Sequence, residues 1–251
     1  MEDERFAAAL QAAAYDMGCK GIGTMREKTL HIALKHYFAP DASCHELPVG
    51  GFIADAVTED GVFEIQTHGL SRLKEKLTAF LAVCPVTVVH PIANPKWLYT
   101  VDENGVLLSK RKSPKHESPY TAMREIYSLR EFVTNPRFSI CLAAVETAEY
   151  RQKSPRKGVR GEKLDRVPTA LYGLQMLSAP SDYLALLPVT DLPEVFSARD
   201  AAALMSAADE GSMRMLLLLL ERLGVVESAG KSGNRKLWRL TELYRSDAIR
   251  G

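Results

Sequence analysis

Apolar residues in the first part of the chain follow a helical spacing in some segments and a strand-like alternation in others. The helical spacing predicts helices over about residues 2–17, 25–38 and 70–83. Alternating or β-branched segments predict strands over residues 45–49, 52–57, 62–67 and 86–90. From the second helix onward, the predicted order is therefore α-β-β-β-α-β.

The rest of the chain continues with mixed elements and ends in a different pattern. Two strand-like segments flank Glu103-Asn104-Gly105, which favours a hairpin. A helix near 120–132 and a strand near 138–145 follow, and the polar composition of 151–166 predicts a basic loop. From Phe196 the pattern becomes helix, helix, hairpin. We therefore divide the chain into a first domain (1–150), a basic loop and linker region (151–194) and a C-terminal domain (195–251).

The composition is that of an ordinary globular protein, with 46% hydrophobic and 25% charged residues among 251. The formal net charge is +1, so the whole molecule has no strong attraction to nucleic acid. Basic residues nevertheless cluster within 110–115, 151–166 and 231–239. Each cluster could neutralise phosphates, and a solvated surface is the alternative interpretation.

The cysteines and the apolar segments predict a protein of the cytoplasm. The four cysteines are widely spaced, which argues against a zinc site or a disulfide framework. The acidic N-terminal segment does not resemble a signal peptide. The leucine run 216–220 is far too short to cross a membrane, so no membrane partner is expected.

The strongest candidate for chemistry is the hairpin around Asp60-Gly61, a dipeptide that favours a two-residue turn. Such a turn would place Asp55 opposite Gln66, with Glu64 diagonal to Asp55 on the same side, roughly 7–8 Å away. Two carboxylates at this separation can bind one Mg²⁺ or Mn²⁺ ion through their oxygens. The alternative is a half-exposed hairpin whose polar side simply meets water.

The preceding predicted helix adds a fourth candidate. Glu27 shares an arc of that helix with Leu30, His31, Leu34 and Phe38. A carboxylate inside an apolar arc is costly unless it meets a cation, a donor or a water-filled cleft. We therefore expect Glu27 and His31 to face the polar side of the hairpin. A salt bridge for Glu27 and a structural role for His31 are the alternatives.

The segments GFIADAVTEDGVFEIQT, SRLKEKL and VTVVHPI resemble the core of the PD-(D/E)XK nuclease superfamily over roughly residues 20–92. The chain further resembles a bacterial family of uncharacterised proteins with this core, in the segments REKTLHIALKHYF, KWL, RKSP and DYLALLP. The resemblance implies an α/β fold with a restriction-endonuclease-like αβββαβ core, in which helices flank a mixed sheet. It also implies that Asp55 and Glu64 bind the metal and that Glu27 is the helical acid. Gln66 stands where the motif has lysine, an E-x-Q variant.

This resemblance implies metal-dependent hydrolysis of a phosphodiester in nucleic acid, with DNA as the expected substrate. Asp55, Glu64 and Glu27 would hold Mg²⁺ or Mn²⁺, and Gln66 would position the attacking water. His68, Arg72 and Lys74 would contact phosphates, and a plain solvated surface is the alternative for each of them. Because Gln66 carries no charge, a non-catalytic nucleic-acid-binding or regulatory protein is the alternative, and an interaction scaffold is a third.

Residues 196–240 resemble a winged helix-turn-helix, which implies that this region binds DNA. Arg214 is the basic residue in the expected recognition helix. Lys231, Arg235 and Lys236 lie in the expected wing, where they could contact phosphates. A role in dimerisation or protein contact is the alternative, so the protein could form a homodimer.

Overall fold

The structure is a computed structural model that describes residues 2–19, 29–156, 159 and 161–248. Helices and strands are interspersed throughout these residues. The helices are α1 (Glu2–Cys19), α2 (Thr29–Phe38), α3 (Lys74–Leu81), α4 (Pro119–Ile126), α5 (Pro180–Leu184), α6 (Ala198–Ala203), α7 (Glu210–Arg222) and α8 (Glu242–Ala248). The strands are β1 (His45–Val49), β2 (Phe52–Thr58), β3 (Gly61–Ile65), β4 (Val86–Val101), β5 (Leu107–Lys112), β6 (Phe138–Gln152), β7 (Lys163–Leu177), β8 (Phe196–Ser197), β9 (Val226–Ser232) and β10 (Arg235–Leu240).

The central sheet is mixed and has helices on both faces. Its strand order is β1-β2-β3-β4-β6-β7, and β5 pairs with β4. Strands β3, β4 and β6 run parallel, whereas β1–β2–β3 and β6–β7 are antiparallel. Neighbouring residues Val88 and Val89 are both fully buried because helices cover the two faces. Leu30 and Leu34 of α2 pack on the Val89 side. The apolar residues of α3 and α4 pack on the Val88 side.

The turn between β2 and β3 differs from the predicted one. The structure pairs Ala56 with Phe63 and Thr58 with Gly61, so the loop residues are Glu59-Asp60 rather than Asp60-Gly61. Gly61 has φ +116°, and a Cβ there would lie 2.3 Å from the carbonyl oxygen of Pro85. Only glycine fits this position without strain, so its place is fixed by contact with the chain before β4.

The prediction of a basic loop over residues 151–166 is wrong at both ends of this range, where the structure has strands. Strand β6 continues to Gln152, and β7 begins at Lys163, with Arg151 paired with Lys163. Asp165 on β7 also accepts a hydrogen bond from the backbone N–H of Thr29, at 3.2 Å, at the first residue of α2. Polar residues predominate here because the strands extend past the helices that cover the sheet. The predicted domain boundary at 150 falls inside β6.

The C-terminal part shares the core of the sheet. Helix α7 buries Leu216, Leu217, Leu219 and Leu220 completely, in one cluster with Val88 of β4. The leucine run is thus a core-facing stripe. Strands β8, β10 and β9 form a second sheet in that order. Its hairpin turns at residues 233–234, between Ser232 of β9 and Arg235 of β10. Within the described ranges, no helix is both long and apolar enough to cross a membrane.

Candidate functional site

Asp55 and Glu64 meet where the ladder between β2 and β3 ends. The last paired residues are Ala56 and Phe63, so Asp55 stands opposite Glu64 and not opposite Gln66 as predicted. The backbone N–H of Asp55 donates to Glu64 Oε1 at 3.0 Å, and the N–H of Ile65 donates to Asp55 Oδ2 at 2.8 Å. The two carboxylates therefore take the place of backbone acceptors at this point of the sheet.

Lys76 of α3 is the third member of the site. Its Nζ lies 2.7 Å from Glu64 Oε2 and 5.6 Å from the centre of the Phe80 ring. The burial of Leu77 and Phe80 fixes the helix against the sheet and places Lys76 at the edge of that contact. Sequence reasoning did not single out Lys76. The available signal was its position directly before a buried leucine and one turn before Phe80.

His31 of α2 contacts Asp55, the carboxylate of the pair that Lys76 does not bind. Its Nε2 lies 3.1 Å from Asp55 Oδ2, and both side chains are about one-fifth exposed. The prediction from helix phase that His31 faces the hairpin is therefore confirmed. Glu27, which the same argument placed beside it, lies outside the described residues.

The two carboxylates differ in their ionisation. Burial, and then the negative charge of Asp55, raises the pKa of Glu64 to about 7 against the opposing effect of Lys76. Burial also disfavours ionised Asp55, but the hydrogen bond and charge of His31, with the Ile65 N–H, outweigh it and lower the pKa of Asp55. Asp55 is thus ionised at neutral pH, while Glu64 exchanges a proton near pH 7. Divergent pKa values in one pair of carboxylates are typical of sites that move protons or bind cations.

The oxygen donors of this pair fit a small hard cation that keeps most of its water. Asp55 Oδ1 accepts no hydrogen bond from any residue that the structure describes. Glu64 Oε2 is buried and accepts from Lys76, whose side chain is about one-fifth exposed. Mg²⁺ commonly binds through one or two carboxylates and completes its shell with water or phosphate oxygens. Across the described part of the chain, no group of three or more His, Cys, Asp or Glu side chains is arranged to bind a metal ion.

Comparison with known proteins places this hairpin in a defined family. Residues 28–176 match the family described as a domain of unknown function, DUF8091. The chain belongs to the DUF8091 family. A protein of Treponema pallidum (strain Nichols), described as an uncharacterized protein, is 33% identical over 223 residues, which cover 87% of each chain. No solved structure matches. The DUF8091 match includes Asp55, Glu64 and Lys76.

The side chain and backbone of Gln66, within the DUF8091 domain, are hydrogen-bonded to neighbouring backbone groups and to His90. Its side-chain Nε2 donates to the carbonyl of His68 at 2.7 Å, and its backbone N–H donates to Val89. Its carbonyl accepts a hydrogen bond from His90 Nδ1 at 2.8 Å. Burial lowers the pKa of His90, so the imidazole is neutral at physiological pH. Gln66 therefore lies just past the carboxylate pair, with its amide turned toward the loop that follows β3.

The predicted phosphate contacts lie on separate elements. In the DUF8091 domain, Arg72 is exposed, and Lys74 pairs with Glu131 at 3.1 Å. The predicted contacts beyond the DUF8091 match are Arg214 on α7 and Lys231, Arg235 and Lys236 on the last hairpin. The first three of these are exposed. Lys236 is partly buried and pairs with a carboxylate of α7, its Nζ lying 2.6 Å from Glu221 Oε2.

Proposed function

We propose that the protein is a metal-dependent nuclease of the PD-(D/E)XK type that hydrolyses phosphodiester bonds in DNA. The observation that carries this proposal is the direct opposition of Asp55 and Glu64 beside the ammonium group of Lys76. The order of elements around this site also fits the αβββαβ core, since α2, β1, β2, β3, α3 and β4 follow one another along the chain.

Asp55 and Glu64 would hold the ion, Mg²⁺ or Mn²⁺, through Asp55 Oδ1 and through Glu64 Oε2 once Lys76 has moved away. A bound divalent cation of this kind polarises a phosphoryl oxygen and lowers the pKa of water. His31 fixes the orientation of Asp55 through the 3.1 Å contact. Glu64 must lose its proton before it can act as a ligand, so binding of the ion would release that proton near pH 7.

Lys76 supplies the positive charge that Gln66 lacks. In this proposal its ammonium group leaves Glu64 when the ion binds and stabilises the negative charge that develops on the scissile phosphate. The side chain is long and partly exposed, and its carboxylate partner is the proposed metal ligand itself. Gln66 would then contribute to the shape of the adjoining loop rather than to charge stabilisation.

The C-terminal region would hold the DNA in the manner of a winged helix. Helices α6 and α7 precede the β9–β10 hairpin, and the short strand β8 completes its sheet. Lys231 and Arg235 are exposed on this hairpin and would contact phosphates as the wing. Arg214 is exposed on α7, which would act as the recognition helix.

One observation favours a second candidate, a DNA-binding or regulatory protein without catalysis. Three of the four carboxylate oxygens already accept hydrogen bonds from the chain: Asp55 Oδ2, Glu64 Oε1 and Glu64 Oε2. A site closed in this way would retain the fold without binding an ion.

Cleavage of plasmid and of single- and double-stranded oligonucleotides, with Mg²⁺, Mn²⁺ or EDTA, tests the proposal. We expect divalent-dependent cleavage that Asp55→Asn abolishes and that Lys76→Met slows by roughly a hundredfold. Arg137→Met, which removes an exposed positive charge elsewhere, should leave the rate unchanged. Absence of cleavage with every substrate and ion, together with salt-dependent DNA binding, would establish the second candidate instead.

A further inference from the structure

A second cavity, separate from the carboxylate pair, opens where the long strands extend past the covering helices. Its volume is about 620 Å³, and it lies against the later parts of β4 and β6 and the segment 152–156. Leu98 and Thr100 of β4 form part of its floor, and Val159 and Gly161 form part of its rim. This volume is in the range of cavities that hold small molecules of nucleotide size.

The charge of the cavity is strongly positive. A single acid, Glu149, accompanies six basic side chains among its lining residues. The basic residues are Lys96, Arg111, Lys115, Arg151, Lys153 and Arg156.

Two of these cations are already neutralised by carboxylates. Lys96 Nζ lies 3.1 Å from Glu117 Oε1, and the Arg151 guanidinium contacts Glu149 Oε1. Glu149 Oε2 also accepts from Arg166 and forms an ion pair with Lys163, each at 3.4 Å, so three cations share its single charge. Its carboxylate is therefore an internal counter-ion for the strand pair.

The remaining four cations lack such a counter-ion among the described residues. Arg111, Lys115, Lys153 and Arg156 are exposed, and none pairs with a carboxylate within the part of the chain that the structure describes. Arg151 Nε is buried and lacks a hydrogen-bond partner among the same residues. A concave surface with four uncompensated charges and an unsatisfied buried donor is incomplete without an anion.

We propose that this cavity binds the phosphate groups of a nucleotide-sized ligand, either a free nucleotide or the end of a nucleic-acid strand. Arginine is well suited to phosphate, because its planar group donates two parallel hydrogen bonds to phosphate oxygens. Leu98 and Val159 provide apolar surface for the rest of the ligand.

The cavity and the carboxylate pair are two sites. Val88 of β4 is the neighbour of Glu64, and Lys96 follows it by eight residues along the same strand. Eight residues of strand span roughly 26 Å, so one phosphate group cannot contact both sites. The proposal therefore holds or fails independently of the nuclease activity.

Isothermal titration calorimetry in EDTA tests the cavity while divalent cations are absent. The probes are inorganic pyrophosphate, ATP and a 12-nucleotide DNA with a 5′-phosphate. The test variant is Arg111→Ala, and the matched control is Lys112→Ala, which removes the same charge from the next residue of β5. Successive residues of a strand point to opposite sides, and Lys112 does not line the cavity.

We expect wild-type protein to bind at least one probe with a dissociation constant below about 1 mM, and Arg111→Ala to weaken this binding roughly tenfold or more. Lys112→Ala should change it less than threefold, and Arg137→Met should leave it unchanged. Tight binding of ATP identifies a free nucleotide, whereas binding of the oligonucleotide alone identifies a strand end. Binding of none of the three probes would overturn the proposal, as would equal losses in the two β5 variants.

Discussion

Replacement of Glu64 by glutamine is expected to stabilise the folded protein above neutral pH, although it removes a proposed metal ligand. The side chain of Glu64 is 2% exposed and faces Asp55 across the hairpin. Its pKa is raised from 4.5 to about 7, so the folded state disfavours its ionised form. Glutamine has nearly the same shape and cannot ionise, so the variant isolates the cost of this one charge.

The magnitude follows from the pKa values of the folded and unfolded chain. Below pH 4.5 the carboxyl is protonated in both states, and its ionisation has no effect on stability. Between pH 4.5 and 7 the unfolded chain releases the proton first, so the wild-type protein loses stability as the pH rises. Above pH 7 the loss reaches roughly 3 kcal/mol. Most of this loss develops between pH 5 and pH 8.

The amide also has a cost that does not depend on pH. Glu64 accepts hydrogen bonds from Lys76 and from the Asp55 N–H through different oxygens. An amide has a single oxygen, so its NH₂ group must face one of these two donors. The conflict costs about 1 kcal/mol at every pH. We therefore expect Glu64→Gln to be slightly less stable than the wild type at pH 5 and about 2 kcal/mol more stable at pH 8.

Urea denaturation at pH 5, 6, 7 and 8 in EDTA measures the free energy of unfolding of both proteins. A difference between variant and wild type that is constant over this range would refute the reasoning, since it would mean that Glu64 titrates alike in both states. Addition of Mg²⁺ at pH 8 tests separately whether Glu64 is a metal ligand. The ion should stabilise the wild type and leave Glu64→Gln unchanged.

Three further changes test the fold around the two sites, each by the free energy of unfolding in urea. Burial opposes the ionisation of Glu149, but the neighbouring cations outweigh it and lower its pKa to about 2. Glu149→Gln should therefore lose about 1–2 kcal/mol at pH 7, a loss that fades as the pH falls from 4.5 toward 2; a constant loss would contradict this. Gly61→Ala should cost about 2 kcal/mol or more, because φ is +116° and a backbone carbonyl lies in the way. Gly51→Ala, with φ +87° but open space around it, should cost less, and equal losses would argue against the close approach. Leu217→Ala, in the core of α7, should cost about 2–5 kcal/mol, whereas a loss below 1 kcal/mol would mean that the C-terminal part unfolds separately from the measured transition.

The carboxylate pair could be predicted from sequence even though the turn was not. The predicted register paired Asp55 with Gln66, and the observed register places it opposite Glu64, a shift of two residues. A shift of two keeps every side chain on its face of the sheet, whereas a shift of one would reverse them all. Alternation of polar and apolar residues was therefore enough to predict the shared face. The register itself depends on the contact of Gly61 with Pro85, which is distant in sequence.

The extended strands could not be predicted from local pattern. Strands β6 and β7 pair from Ile140 and Leu177 to Arg151 and Lys163, and polar residues predominate in the second half of β6 and at the start of β7. Glu149, Arg151 and Gln152 of β6 line the basic cavity. Such a segment has neither the apolar alternation nor the turn residues from which a strand is usually identified. Its strand structure comes from pairing with a partner that is itself polar. The cavity brings Arg111 of β5 together with Arg151 of β6 because both strands pair with β4.

Lys76 changes what the E-x-Q sequence means for chemistry. Gln66 alone suggests a site without positive charge, but the following helix carries two lysines, Lys74 and Lys76. The packing of Leu77 and Phe80 selects one of them and places its ammonium 2.7 Å from Glu64. A charge at this site therefore depends on how α3 sits on the sheet, not on the residue two positions after Glu64. If Lys76 provides this charge, Lys76→Met should lose cleavage while Gln66→Ala keeps full activity. The reverse result would mean that Gln66, and not Lys76, stabilises the charge on the phosphate.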